Sequence, residues 1–404
     1  MSPTPNGLSA VRPVHAHSTR QRSRFLVTAA IAAAALLCVE ASAFASTQLR
    51  TIAAPMVASS TSSSTAWAIV VMGKDDGHHD LFPELFSTTS TSRWQLATPP
   101  GVADNGGIFL GTGAQTSAIA GIGTSQALAF SPLAYTASSG RNWVPGGLEF
   151  GLARVPSAIA LGPGQSAAVL VTKSGRIVGL RRTGSLEQWS QLVTTGTLSS
   201  VKSSCGVNAL NAVAITSSSQ YLVGTTCARP HSVGVFADVR GRWTASSAQI
   251  PPALSNASFE TIRLTNNAVG VDGMFVARTT STTQLVAGWL ANKSSTWTLS
   301  SGISLAANSQ VLSTGEGPGA HQFALIRTGS NVVALISNGG RHPWQRLGGL
   351  PADTQSLAFE PNGTLDALVV HASALTIWRE ALSAGSGFTK VQTITVPIQY
   401  GSSG

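Results

Sequence analysis

SLAFEPNG (Ser356–Gly363), TLDALVVHA (Thr364–Ala372), ALTIWREAL (Ala374–Leu382) and FTKVQTITVP (Phe388–Pro397) follow one another near the C-terminus of a 404-residue chain, the last two separated by the turn Ser383–Gly387. Each is a short run of Val, Leu, Ile, Thr, Ala and aromatic side chains, and each is bounded by Gly, Ser, Asn or Pro. Such runs read as β-strands, because β-branched and aromatic residues pack well on a pleated surface while the small and cyclic residues turn the chain. Four of them in succession, labelled A to D, make one meander.

The same unit recurs upstream. Residues 157–165, 166–173, 176–182 and 189–195 align on it, as do 310–317, 321–329, 332–340 and 344–350. In each unit an aromatic residue opens strand D, just after the C–D turn. Trp94, Trp143, Trp189, Trp243, Trp297 and Trp344 are spaced 49, 46, 54, 54 and 47 residues apart, and Phe388 stands in the same context 44 residues further on. A repeat of about 40–50 residues holding four short strands is the pattern of a β-propeller blade. The fold expected is therefore all-β: a seven-bladed β-propeller of four-stranded blades over residues 46–400, with 401–404 as a short tail. The first blade takes Thr51–Ser60 as A, Ala66–Gly73 as B, Leu81–Thr89 as C and Arg93–Pro100 as D; the strand limits of the second, within 104–138, stay open. A β-sandwich, or two smaller β domains, would bury similar strands and is the alternative.

The N-terminus predicts export. Arg12, Arg20, Arg22 and Arg24 precede the apolar run Phe25–Val39, and small residues stand at Ala43 and Ala45, the order of a signal peptide over residues 1–45. A run of fifteen residues is short of the roughly 20 needed to span a bilayer, so cleavage is expected rather than retention as an anchor, and no membrane span is expected afterwards. Removing this segment takes the 25 basic residues to 21 and the 16 acidic residues to 15, a net charge of +6. Those cations are dispersed and show no basic run with interleaved aromatics, which argues against nucleic acid as a partner. Cys38 leaves with the signal. Cys205, just before strand A of the fourth unit, and Cys227, at the end of its strand B, then form an even pair in an oxidising compartment, and a disulfide is expected.

At the C–D turns the chain resembles the sialidase-type propellers that carry the Asp-box, Ser-x-Asp-x-Gly-x-x-Trp. YTASSGRNW (Tyr135–Trp143) has the Gly and Trp in register with Thr136 in the serine place; SNGGRHPW (Ser337–Trp344) and STTSTSRW (Ser87–Trp94) have the Ser and Trp. Ser138, Gly339 and Thr89 stand where the motif has Asp. The resemblance implies the propeller fold, and a ligand face formed by the D–A and B–C loops around the mouth of the central channel. It also implies a search for sialidase machinery: Leu152–Pro156 (LARVP) is similar to that family's Arg-Ile-Pro motif and makes Arg154 the catalytic candidate. The three tyrosines, Tyr135, Tyr221 and Tyr400, do not supply a nucleophile with its glutamate.

On that face the end of strand B carries a cation in most units: Lys74, Lys173, Arg229 with His231 nearby, Arg278, Arg327 and His371. A crescent of this kind would receive carboxylates or acidic sugars, since arginine makes planar bidentate bonds to such groups. KDDGHHD (Lys74–Asp80), the B–C loop of the first unit, supplies Asp75, Asp76 and Asp80 as hard oxygens suited to calcium, and His78 and His79 as nitrogens suited to zinc. Adjacent histidines on extended backbone diverge and the carboxylates lack a chelating spacing, so a solvated rim loop is the plainer expectation and no cofactor is predicted. The functional expectation is an exported monomeric propeller that binds or scaffolds at the cell surface or outside the cell, with an anionic glycan or a protein as partner. A diverged sialidase-like glycoside hydrolase and a structural envelope protein are the alternatives.

Overall fold

The computed structural model describes residues 59–397 apart from 63, 74–80, 100–106, 114–116, 123–129, 150–155, 174–175, 183–185, 203–204, 268, 307, 340–341 and 381–386. Strands β1 (Ser59–Thr61), β2 (Thr65–Gly73), β3 (Leu81–Thr89) and β4 (Gln95–Leu96) form the first antiparallel sheet; β5 (Ile108–Thr112), β6 (Ala118–Ile122), β7 (Phe130–Thr136) and β8 (Val144–Glu149) form the second; β9 (Ala158–Leu161), β10 (Ala167–Lys173), β11 (Arg176–Arg182) and β12 (Trp189–Thr194) form the third. A ten-stranded sheet follows. It holds the meander β13 (Val207–Ile215), β14 (Tyr221–Cys227), β15 (Val235–Val239) and β16 (Arg242–Ala245), the connecting strand β17 (Ser247–Gln249), and the meander β18 (Ser258–Asn267), β19 (Gly270–Arg278), β20 (Thr283–Ala291) and β21 (Thr296–Leu299), with β22 (Ile303–Leu305) beside β20. Two more four-stranded sheets end the fold: β23 (Ser309–Glu316), β24 (His321–Thr328), β25 (Asn331–Asn338), β26 (Gln345–Leu347), then β27 (Thr354–Phe359), β28 (Leu365–His371), β29 (Ala374–Glu380), β30 (Thr389–Thr395).

The first strands of the meanders neighbour one another in a closed sequence. β1 touches β5, β5 touches β9, β9 touches β13, β13 touches β18, and β23 touches β27, which returns to β1; the remaining step, β18 to β23, is made by Arg263 bonding Thr314. The sheets therefore stand radially around an axis, as in a β-propeller.

Packing explains the strand compositions. The apolar core divides into clusters, each shared by two consecutive meanders, including one between the last meander and the first: Ala358, Leu368 and Ile377 pack with Ala68, Phe86 and Trp94. Second strands have neighbours on both faces and read as continuous apolar runs; every residue of β28 except His371 is buried. The outermost β30 is exposed over Thr389–Val391 and alternates between half-buried and exposed positions from Gln392 onward, which suits TKVQTIT. Each aromatic marker at the start of strand D sits in the cluster shared with the preceding meander: Trp143 packs with Trp67, its ring centroid 6.2 Å away, and Trp297 lies 5.5 Å edge-on from Phe275 in the cluster that also holds Val233 and Val235 of the preceding unit. The period seen in the sequence is thus the period of the inter-sheet wedges.

The C–D turn before Trp143 is held by hydroxyl groups. Ser138 Oγ, in the Asp place, accepts the Asn142 N–H at 2.9 Å, and Thr136 Oγ1 accepts the N–H groups of Ser138 and Gly140 at 3.2 and 3.3 Å. Gly140 has φ +82° there, which only glycine adopts at no steric cost. The expected disulfide joins Cys205 to Cys227, with Cα atoms 5.1 Å apart across the β13–β14 hairpin; a loop of this length contributes about 3 kcal/mol in the chain-entropy account. Among the described residues no helix is long and apolar enough to cross a membrane.

Candidate functional site

The axis is not an open tube. The three residues of β1 reach inward and bond to four other inner strands. Ser60 Oγ donates to Glu316 Oε1 of β23 at 2.6 Å and sits 2.6 Å from Thr112 Oγ1 of β5; Thr61 Oγ1 donates to the carbonyl of Phe359 in β27 at 2.5 Å; the carbonyl of Ser59 accepts Arg263 Nη2 of β18 at 2.6 Å. Because the Ser60 proton goes to the carboxylate, Thr112 is the donor to Ser60. Thr112, Glu316 and Phe359 all lie at the C-terminal ends of their strands, so β1 crosses the channel at the A–B turn end.

Arg263 is the centre of this crossing. Its Nε donates to Thr265 Oγ1 at 3.1 Å and its Nη1 to the Thr314 carbonyl at 2.9 Å. Thr265 in turn donates to Glu316, so the two charges are joined through one hydroxyl. Burial pushes the Arg263 guanidinium down from its ordinary range, and the charge of Glu316 opposes that shift; burial pushes the Glu316 carboxyl up, opposed by Arg263, Ser60 and Thr265. Arg263 owes its position to a β-bulge. The register of β18 on β19 slips between Thr261 and Arg263, and the same slip occurs in β13 between Leu210 and Ala212, in β23 between Val311 and Ser313, and in β27 between Thr354 and Ser356. The residue after the bulge is Ala, Ser and Ser in those strands; in β18 it is arginine, and it fills the space.

Beside the crossing a cavity of about 250 Å³ lies between β5, β9, β13 and β18, with Ser60 and Thr314 also on its wall. Its wall is mixed: Phe109, Ile159 and Ala212 supply apolar surface, and Asn211, Glu260, Arg263 and Asn266 supply polar groups. Glu260, near the start of β18, holds Arg278 at the end of β19 through Oε2 at 2.7 Å. The close approach of β14 to β18 here needs Gly224, where an added Cβ would fall 2.4 Å from Thr261.

The cations expected on the ligand face have different fates. Arg278 turns inward to Glu260, whereas Arg229, His231, Arg327 and His371 are exposed at the strand ends. None of them lines the cavity, whose own cation is Arg263. Lys173 closes β10 opposite Arg176. Lys74, Asp75, Asp76, His78, His79, Asp80 and Arg154 lie outside the described residues. Among the described residues no group of three or more His, Cys, Asp or Glu side chains is placed to hold a metal ion. Tyr135 and Tyr221 are half-buried in β7 and β14 and do not reach the cavity, and burial pushes the Tyr221 phenol up, away from nucleophilic activation.

A second polar cluster joins the last meander to the first. Asp366, fully buried in β28, accepts Trp94 Nε1 at 2.7 Å, Arg379 Nε at 2.9 Å and Arg379 Nη2 at 3.0 Å; Arg379 Nη2 also donates to Glu360. Burial first, and the Asp366 charge second, push Glu360 up to about 7, with Arg379 pulling the other way. A carboxyl whose folded pKa is raised gives stability that is fully present below its unfolded value and lost as pH rises through the folded one. Glu360→Gln keeps an acceptor for Arg379 and offers an N–H to Asp366. Its melting temperature is therefore expected to exceed that of the wild type at pH 8 and to match it at pH 4, measured by differential scanning fluorimetry across that range. A constant offset at every pH would contradict the titration.

Of the buried charges, Asp272 and Asp366 carry a recognisable signal: each interrupts the apolar run of a second strand near its start, in a chain only 10% charged. Glu260, Arg263 and Glu316 stand in polar stretches and carry none.

No protein-family model matches the chain, and no curated protein matches it in sequence. Solved structures do. The periplasmic gluconolactonase of Pseudomonas aeruginosa superposes with a TM-score of 0.51 at 13% identity, covering 83% of this chain and 97% of that one. A candidate 6-phosphogluconolactonase of Bacteroides fragilis superposes with a TM-score of 0.50 at 13% identity, covering 83% and 96%. The β-propeller domain of the trilobed protease from Pyrococcus furiosus is more distant, with a TM-score of 0.39 at 6% identity over 82% and 93%. At these identities the likeness is one of fold. The protein is an all-β, propeller-type chain.

Proposed function

We propose that the protein is an exported, seven-bladed β-propeller whose role is binding: residues 1–45 direct export and are removed, residues 46–400 form the ring, and a glycan or a surface protein is held at the cavity between β5, β9, β13 and β18. The observation that carries this reading is the cavity of about 250 Å³ walled by four inner strands, with fixed polar groups set among apolar ones. Concave sites of mixed apolar and sparse polar lining are where small ligands bind, and this volume, below the roughly 300–1,000 Å³ typical of drug-sized ligands, suits one sugar-sized group.

Two other readings yield to the same experiment. Sialidase-like hydrolysis would rest on Arg154, and an envelope scaffold would rest on a protein partner. The two neighbours with TM-scores of 0.50 and 0.51 are named as sugar-lactone enzymes, but at 13% identity the reaction does not transfer with the fold. A glycan array probed with the mature chain is expected to give binding, while a fluorogenic sialoside and gluconolactone are expected to be left unturned. Turnover lost on Arg154→Ala would replace the binding reading with the hydrolase. An empty array, with an envelope protein recovered by crosslinking, would replace it with the scaffold.

A further inference from the structure

We propose that the channel cavity accepts one uncharged, polyhydroxylated ring, such as a neutral sugar residue, and discriminates against its uronate. The proposal rests on the glycan-binding reading and departs from the anionic partner that the surface cations suggest.

Charge is the first ground. Two charged side chains line the cavity, Glu260 and Arg263. Glu260 is answered by Arg278 at 2.7 Å, and Arg263 is answered by Glu316 through Thr265. A carboxylate entering this space would shed its water and find each cation already committed to a protein carboxylate, and an uncompensated charge in such a place is costly.

Hydrogen bonding is the second. Asn266 Oδ1 is a buried acceptor on the cavity wall with no hydrogen-bond partner among the described residues. The bonds of Arg263 to Thr265, to the carbonyl and hydroxyl of Thr314 and to Ser59 use four of its five N–H groups, which leaves one on Nη2. Asn211 gives Nδ2 to Thr226 Oγ1 at 2.6 Å, and its carbonyl oxygen remains an acceptor. Acceptors and a donor with bonding capacity to spare thus belong to residues of one cavity wall, and a hydroxyl is the group that answers both. Phe109 and Ile159 provide apolar surface for the C–H face of a ring.

The test uses the mature chain and four probes, methyl glucoside, methyl galactoside and their two uronates, with affinities from calorimetry and ligand-observed NMR. At least one neutral glycoside is expected to bind, and its uronate to bind at least about tenfold more weakly. Asn266→Ala, which removes no bond within the protein, is expected to weaken the neutral ligand about fivefold at an unchanged melting temperature. Glu260→Gln removes the carboxylate that holds Arg278 at 2.7 Å and is expected to narrow the gap between neutral ligand and uronate. A uronate that binds as tightly as its neutral counterpart, no binding of either neutral glycoside, or affinities untouched by Asn266→Ala would overturn the proposal. If the array still gives binding in any of those cases, the glycan-binding reading stands and only the channel site falls; an empty array removes the reading itself.

Discussion

Asp366→Ala is expected to cost about 3–5 kcal/mol of unfolding free energy, because it strips a buried, fully bonded carboxylate from its partners. The side chain is inaccessible to solvent, holds both Nε and Nη2 of Arg379, and takes the indole N–H of Trp94 from the opposite end of the chain. Its loss leaves a guanidinium balanced by Glu360 alone and a buried indole donor with nothing to bond. The site matters because of how the ring closes. Among the described residues the first sheet is built from β1–β4 and the last from β27–β30, with no strand of one lying in the other. Side chains and single backbone contacts must therefore bridge the seam. Gln392 does so with both ends of its amide, accepting the Trp94 N–H at 3.1 Å and donating to the Trp94 carbonyl at 2.7 Å; Val71 donates its N–H to Gln355 at 3.2 Å, and Gly73 donates to the Ala372 carbonyl at 2.9 Å. Urea titration of Asp366→Ala measures the cost. A loss below about 1 kcal/mol would mean that the apolar cluster around Phe86 and Leu368 holds the seam by itself, since ordinary neutral hydrogen bonds contribute about that much each.

Arg263→Ala is expected to cost a similar 3–5 kcal/mol, for a different reason. It abandons the carbonyls of Ser59 and Thr314 and the hydroxyl of Thr265, and it leaves the buried carboxylate of Glu316 without its cation. Burial opposes the charged form of both partners. Arg263→Met combined with Glu316→Gln is therefore expected to recover most of the loss. A double variant as unstable as the sum of its single changes, measured by denaturant titration, would show that the two charges are independent.

Much of the fold was legible in the sequence because it is encoded locally. The alternation of Val, Ile and Leu with turn residues sets where each strand starts and stops, and the aromatic at the head of each fourth strand repeats because every meander needs a wedge against the one before it. The second meander was the hardest to delimit, and its strands, Ile108–Thr112 and Ala118–Ile122, are short and rich in Gly and Ala, with little periodicity to read. The pairing of Cys205 with Cys227 followed from hairpin geometry, since the start of one strand faces the end of the next.

The channel was not legible. In ETIRLTN, Arg263 looks like a surface arginine on an edge strand. Whether it faces solvent or the axis depends on a one-residue bulge after Thr261, which flips the side-chain alternation and leaves no mark in composition. Its partners lie far along the chain: Ser59 is 204 residues away, Ser60 and Glu316 are 256 apart, and Trp94 and Asp366 are 272 apart. Strand period, turns, the repeat and the disulfide are properties of residues near one another along the chain, and local order is enough to specify them. The β1 crossing, the cavity beside it and the seam between first and last sheets exist only once the ring has closed, because closure is what brings those distant charges into one low-dielectric space where each must find its partner.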